Sequence, residues 1–288
     1  MIQFALSSSA TSDEVAHLPA GYSYWAWNDY RMNPEHPPLM KKLAALPLLA
    51  DFVWPGDIQL RPQDTQPRAI TDCERSIRRA WAVGLNQVEM QWIFGHDFLY
   101  SVRPEAQRRL GAAHITLVPT EEPPDKNDVL NDADGLLFRG RMMVLLLGVC
   151  LASLVFLWSR QMFGLAGGVF SLALFCFDPN FIAHSRLVTT DVGVALFMFG
   201  AVYFLWRLCR QITALNSTLF LLFFGLAFVT KFSAVLLIPI FWMTVLGKIL
   251  SPQTWSIGVN RGREIKTRTG RLAFLSAVSS RSCSRPFS

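Results

Sequence analysis

Between residues 142 and 247 the chain is built of apolar runs separated by short charged connections. The runs cover residues 142–158, 164–177, 192–206, 218–229 and 232–247. Most are shorter than the roughly 20 residues of a spanning helix. Flanking residues extend them, and Arg or Lys side chains finish the ends by reaching along their own stems to the interface. Five such runs in one stretch predict a bundle of membrane helices, not the buried helices of a soluble protein. The upstream third has a different pattern. Residues 1–40 are rich in aromatics and prolines, and Tyr22, Tyr24, Trp25, Trp27 and Tyr30 crowd together as rings do at a membrane–water interface. Residues 40–53 form a short apolar helix interrupted by Pro47, with the length of an interfacial element. Residues 54–70 read as loop and 120–134 as an acidic, Pro-containing loop. In residues 72–110, Ile77, Ala80, Trp81, Gly84 and Leu85 alternate with arginines at helical spacing, the pattern of an amphipathic helix.

Composition supports the division. Of 288 residues, 51% are hydrophobic and 17% charged, below the roughly one quarter charged that is usual for soluble domains. The formal charge of +6 has no aromatic-interleaved basic face behind it, so a nucleic-acid partner is excluded. The basic residues instead follow alternate runs: Arg160 the first, Arg207 and Arg210 the third, Lys248, Arg261, Arg263 and Lys266 the fifth. By the positive-inside rule those three ends are cytoplasmic. Residues 1–140 and the connection 178–191 then share the outer side. The organisation expected is an all-α polytopic bundle: an extracytoplasmic region at 1–140, membrane helices at 141–250 and a basic cytoplasmic tail at 251–288. From Gly258 the tail is Ser- and Arg-rich without helical period, which fits either a disordered tail or an out-of-frame end. The first ten residues lack the basic start and apolar core of a signal peptide. Cys73, Cys150, Cys176, Cys209 and Cys283 are odd in number and show no CxxC spacing, so no disulfide framework and no zinc site is expected.

Four polar groups interrupt this background. Asp13 and Glu14 lie beside His17, Gly21 and Tyr22; an acidic pair there is either functional or the first turn of a helix. Asn33-Pro34-Glu35-His36-Pro37-Pro38-Leu39 follows, with Lys41 and Lys42 behind it. Its prolines stiffen the chain, and His plus Lys on an outer face suits a phosphate. The connection after the second run carries Asp178, Asn180, His184, Arg186 and Asp191, charges that are costly so near a membrane. Asp178 before Pro179 has the form of a helix cap, Asp191 opens the next run, and Arg186 could neutralise either acid. Lys231 stands alone between two apolar runs, where it either snorkels or meets an anion.

The Asp13-Glu14-Val15 and Gly21-Tyr22 segments, followed by His36-Pro37-Pro38-Leu39 and Lys41, resemble the first outer loop of protein O-mannosyltransferases. Arg141, Asp178, Asn180, Ser185-Arg186 and Asp191 look like the next part of that family. Thr230-Lys231 is similar to a Thr-Lys of the lipid A aminoarabinose transferases, which share the wider GT-C class. The resemblance covers roughly residues 11–247. It implies a sugar, mannose-like, delivered on polyprenyl or dolichyl phosphate to a protein, glycan or lipid hydroxyl at the outer face of the cell membrane, with inversion; no cofactor is expected and no residue is assigned as a metal ligand, which leaves metal dependence open. It implies catalytic roles for Asp13 as general base, for Glu14 and for Asp191, and lipid-phosphate contacts for His36, Lys41, Arg186 and Lys231. Family members carry a further helix before the Asp-Glu pair and several after the fifth run, so a fragment is expected. A transporter or binding protein for lipid-linked sugars is the alternative. It predicts internal repeats and broken helices at mid-membrane, whereas the acids here cluster at outer ends.

Overall fold

The computed structural model describes residues 9–26, 28, 30, 32–50, 91–92, 95, 98–100, 132–251, 255–257 and 263–265. Most of the amphipathic segment expected at 72–110, the loops at 54–70 and 120–131, and most of the tail beyond Gly258 lie outside the described residues; within 72–110 the described positions 91–92, 95 and 98–100 are helical. In chain order the elements are α1 (Ser12–Ala26), α2 (Leu39–Ala45) running into a 3-10 turn (Leu46–Leu49), α3 (Ala133–Cys176), α4 (Pro179–His184), α5 (Asp191–Arg210), β1 (Gln211–Ile212), α6 (Ala214–Phe228), a second 3-10 turn (Phe232–Leu236), α7 (Leu237–Leu250), β2 (Trp255–Ile257) and β3 (Arg263–Ile265). Among the described residues three spans, Ala133–Cys176, Asp191–Arg210 and Phe232–Leu250, are long and apolar enough to cross a membrane, and α6 is a shorter apolar helix. The chain is an all-α polytopic membrane protein. The three strands among the described residues are two or three residues each, with β2 parallel to β1 and antiparallel to β3.

Local chemistry sets the helix ends. Asp132, Asp178 and Thr213 each accept a backbone N–H in the first turn of α3, α4 and α6, satisfying donors a helix leaves open. Pro47 turns the expected 40–53 helix into a short α-helix followed by a 3-10 turn. The first two apolar runs are joined through α3, which begins at Ala133, upstream of the apolar stretch. The helix is broken at Gly164, whose φ of 76° and ψ of −172° belong to a region open essentially to glycine alone. Ser159 hydrogen-bonds Ser171 at 2.7 Å, and a side chain at Gly168 would meet Phe156 and Arg160. Residues twelve apart in a continuous helix lie about 18 Å apart along its axis, so the chain turns back on itself at Gly164. Gly164→Ala is therefore expected to destabilise the protein by about 1–3 kcal/mol. Gly225→Ala, inside α6 with open space around it, is expected to be neutral or to stabilise by about 0.5–1 kcal/mol. Thermal melts of the two variants in detergent check the contrast.

That reversal returns the chain to the end where α3 began. Phe181 and Ser185 sit against Gly148, and Val188 against Gly140. α5 is the central helix, most of it buried, while α3 and α7 present most of their apolar surface outward. Phe163, Leu165, Phe170, Leu221, Trp242 and Met243 are exposed in this way, as lipid-facing side chains are. One core lies among Met40, Val144, Leu151, Val192, Leu196, Phe197 and Ala234. A second joins α1 and α2 to the start of α3 through Leu18, Tyr22, Tyr24, Ala44, Leu48, Leu136, Leu137 and Val188. Gly21 lets α1 approach α2 so closely that a Cβ would lie 1.9 Å from the Lys41 carbonyl oxygen. α1 and α2 are thus packed onto the end of the bundle that carries residues 178–191.

Candidate functional site at one end of the bundle

α1 begins with a cap supplied by the Glu14 carboxylate, which accepts the Thr11 hydroxyl at 3.2 Å. Glu14, three residues after Thr11, reaches back to accept the Thr11 backbone N–H at 3.0 Å. The same carboxylate holds a second helix. Arg141, at the start of the apolar part of α3, donates Nε to Oε1 at 2.7 Å and Nη2 to Oε2 at 2.8 Å. Both side chains are essentially inaccessible, at 0% and 2% exposed. Oε1 also accepts the Val188 N–H at 3.1 Å. Burial pushes the Glu14 pKa up, but the Arg141 hydrogen bond, the Thr11 and Val188 amides and the Arg141 charge together bring it below the ordinary carboxylate value.

His17 completes the attachment. Its Nδ1 lies 3.1 Å from the Val188 carbonyl oxygen. A carbonyl only accepts, so Nδ1 carries the proton. Glu14 and His17, one turn apart on α1, thus hold both polar groups of Val188, three residues before Asp191. Burial, helped by the Lys41 and His36 charges and opposed by the Val188 carbonyl and Asp13, lowers the His17 pKa. Asp13 itself is exposed in the first turn of α1, and i, i+4 spacing puts it on the face of His17.

The His36 turn is organised from inside. Asn33 adopts a left-handed φ of 47°. Lys41, fully buried, donates to the Asn33 carbonyl and to that of His36 at 2.8 Å. Tyr24 donates its hydroxyl to the Met32 carbonyl, and Asn33 donates to Gln91 Oε1 at 2.6 Å. Burial, against the pull of Glu35, brings the Lys41 pKa down to about 8. The structure thus places the Lys41 ammonium inside the turn, on carbonyl oxygens, and not on the surface where a phosphate contact was expected. The physical reason is its position on the inward face of α2, against Gly21 and Tyr24. His36 is half-buried, its ring 6.0 Å from that of His17. Burial, then Lys231, then Lys41 hold its pKa below the usual imidazole value, against Glu35 and Asp191. The Leu39 N–H donates to the Val229 carbonyl at 3.2 Å, fastening the turn to the end of α6.

Two residues later Lys231 meets its anion: Nζ lies 2.6 Å from Asp191 Oδ1. The pair is partly open, with Lys231 28% and Asp191 44% exposed, and His184 Nδ1 stands 3.7 Å from Asp191 Oδ2. Asp178 caps α4, accepting the Phe181 N–H at 2.8 Å. Arg186 is half-buried in the turn between α4 and α5.

The structure therefore gathers Asp13, His36, Arg186, Asp191 and Lys231 at one end of the bundle. It buries Glu14 and Lys41 beneath them as supports. An exposed carboxylate can accept a proton, and a neighbouring ammonium and imidazole can meet an anion. Among the described residues no three His, Cys, Asp or Glu side chains converge as metal ligands. The sequence contains this cap as Thr11-x-x-Glu14, a capping-box pattern that would have placed Glu14 in a helix. Nothing local marks His17, whose partner Val188 is 171 residues away.

Residues 134–259 match the family model described as dolichyl-phosphate-mannose-protein mannosyltransferase. Over this span, which holds Arg141, Arg186, Asp191 and Lys231 but not α1 or the His36 turn, the chain is similar to GT-C type mannosyltransferases. No curated protein and no solved structure matches the chain.

Proposed function

We propose that this membrane glycosyltransferase-like chain moves a mannose-like sugar from polyprenyl or dolichyl phosphate to an acceptor hydroxyl, with inversion. The observation that supports it most is the joining of the matched bundle to α1 at Val188, which brings Asp13 to the end that carries Asp191 and Lys231. Asp13 takes the proton of the acceptor hydroxyl as its oxygen bonds to the anomeric carbon. The bond from that carbon to the phosphate oxygen breaks, and the electron pair leaves with the lipid phosphate. Lys231, His36 and Arg186 meet the charge that develops there. Asp191 holds Lys231 in place, Glu14 fixes the helix that carries Asp13, and Lys41 fixes the turn that carries His36. In this scheme residues 1–140 form the catalytic region outside the cytoplasm, 141–250 the membrane bundle and 251–288 a cytoplasmic tail. Protein, glycan and lipid hydroxyls all fit the same chemistry as acceptors.

The test is to incubate membranes containing the protein with polyprenyl phosphates carrying labelled mannose, glucose or aminoarabinose. Label is expected to leave the mannose lipid. Transfer from another donor only would correct the sugar, and transfer from none would reject the proposal. Lys231→Met removes a charge-assisted contact worth about 1.5–3 kcal/mol. Donor affinity is then expected to fall by at least tenfold, read by titration of the purified protein with polyprenyl phosphate.

A further inference from the structure

His17 has a feature that the proposed reaction leaves unused. It is 6% exposed, and its one N–H is committed to the Val188 carbonyl. Burial keeps the ring neutral, so Nε2 carries a lone pair and can only accept a hydrogen bond. Nε2 has no hydrogen-bond partner among the described residues, yet it is not one of the fully buried unpartnered atoms. An acceptor fixed in orientation from its far side, on a residue otherwise buried, offers one accessible lone pair at this end of the bundle. Its surroundings select the kind of partner. Lys41 is turned away onto the Asn33 and His36 carbonyls. The Glu14 carboxylate is occupied by Arg141, Thr11 and Val188. What Nε2 can receive is a group that brings its own proton, such as a hydroxyl.

We infer that His17 Nε2 is the acceptor for a hydroxyl of the donor's sugar, which makes His17 a determinant of sugar recognition. The inference rests on the transferase proposal. The donor is favoured over the acceptor substrate by position. His17 neighbours both Asp13, one helical turn away and assigned to the attacking hydroxyl, and His36, 6.0 Å from it ring to ring and assigned to the phosphate. The sugar is the part of the substrates that lies between those two groups.

Two substitutions separate the halves of the imidazole. Asn has an amide nitrogen where His has Nδ1, so His17→Asn keeps the bond to Val188 and loses the acceptor. Gln has its amide oxygen near the place of Nε2, so His17→Gln keeps an acceptor and loses the Val188 bond. Binding of polyprenyl-phosphate mannose and of bare polyprenyl phosphate to the purified chain is measured side by side, with a melt for each variant. For His17→Asn the melt is expected to hold while affinity for the mannose lipid falls about tenfold and affinity for the bare lipid is unchanged. For His17→Gln the melt is expected to drop while the preference for the mannose lipid persists. A wild-type preference retained by His17→Asn, or an equal loss of both lipids, overturns the inference while leaving the transferase proposal standing. If His17→Asn does not fold, loss of the preference in His17→Gln overturns it as well. Failure of the unsubstituted protein to bind either lipid removes both proposals together.

Discussion

Asp13→Asn is expected to lower sugar transfer by about two to four orders of magnitude, the usual effect of removing a general base, with donor binding unchanged. The substitution keeps the shape of the side chain and removes its ability to take a proton. The structure shows little else that it would disturb. Asp13 is exposed in the first turn of α1, and the cap of that helix is made by Thr11 and Glu14. The fold would lose only the attraction between a carboxylate and the helix N-terminus, about 0.3–1 kcal/mol. Rate and stability therefore separate at this position. Single-turnover transfer from labelled donor, beside a melt of the same preparation, reads both. Near-normal transfer by Asp13→Asn would falsify the assignment of the base.

Glu14 is expected to behave in the opposite way. Glu14→Gln or Arg141→Met leaves one charge of an inaccessible pair without its partner, and such breakage costs about 3–5 kcal/mol. Either substitution should lower the melting temperature markedly, with activity lost in step with the folded fraction. Replacing both together, as Glu14→Gln with Arg141→Met, removes the stranded charge and is expected to recover part of that loss. A double variant as unstable as the sum of the singles would show that the pair is not coupled. The pH dependence has a definite sign. The folded-state pKa of Glu14 lies below its ordinary value of 4.5. Its contribution is therefore complete above that value and is lost as pH falls through the folded-state pKa. Melts of the unsubstituted protein should show this acid limb, and melts of Glu14→Gln should show it reduced.

The membrane bundle was legible because its signal is local. A run of apolar residues bounded by charge specifies a span from its own composition, and all five runs fall in helical elements, two of them running one residue past the helix end. The reversal between the first two was also written locally, in Gly164. The polar end of the bundle was legible only as a set of residue types. Asp13, His36, Asp191 and Lys231 could be picked out because charges near apolar runs are costly, but their roles depend on partners far along the chain. Lys41 illustrates the difference. In sequence it is a basic residue after a Pro-rich turn, equivalent to Lys42. Helical geometry buries Lys41 against α1, while Lys42 lies over the exposed ring of Trp25 at 4.1 Å. Only a knowledge of which face of α2 meets α1 separates the two, and that is set by Gly21 on the other helix.

The attachment of α1 also governs when this end of the molecule can form. Glu14 is synthesised long before its partners: Arg141 follows 127 residues later and Val188 174 residues later. At about 5–20 residues per second of chain elongation, Val188 emerges on the order of 10–30 s after Glu14. Until Arg141 emerges the Glu14 carboxylate has no guanidinium, and until Val188 emerges it still lacks the amide, so the attachment of α1 cannot be completed before then. A segment translated before α3 is thus among the last to reach its native place. Its completion waits on insertion of both arms of α3 and on emergence of the chain leading into α5, and the candidate site assembles only once that part of the bundle is in place.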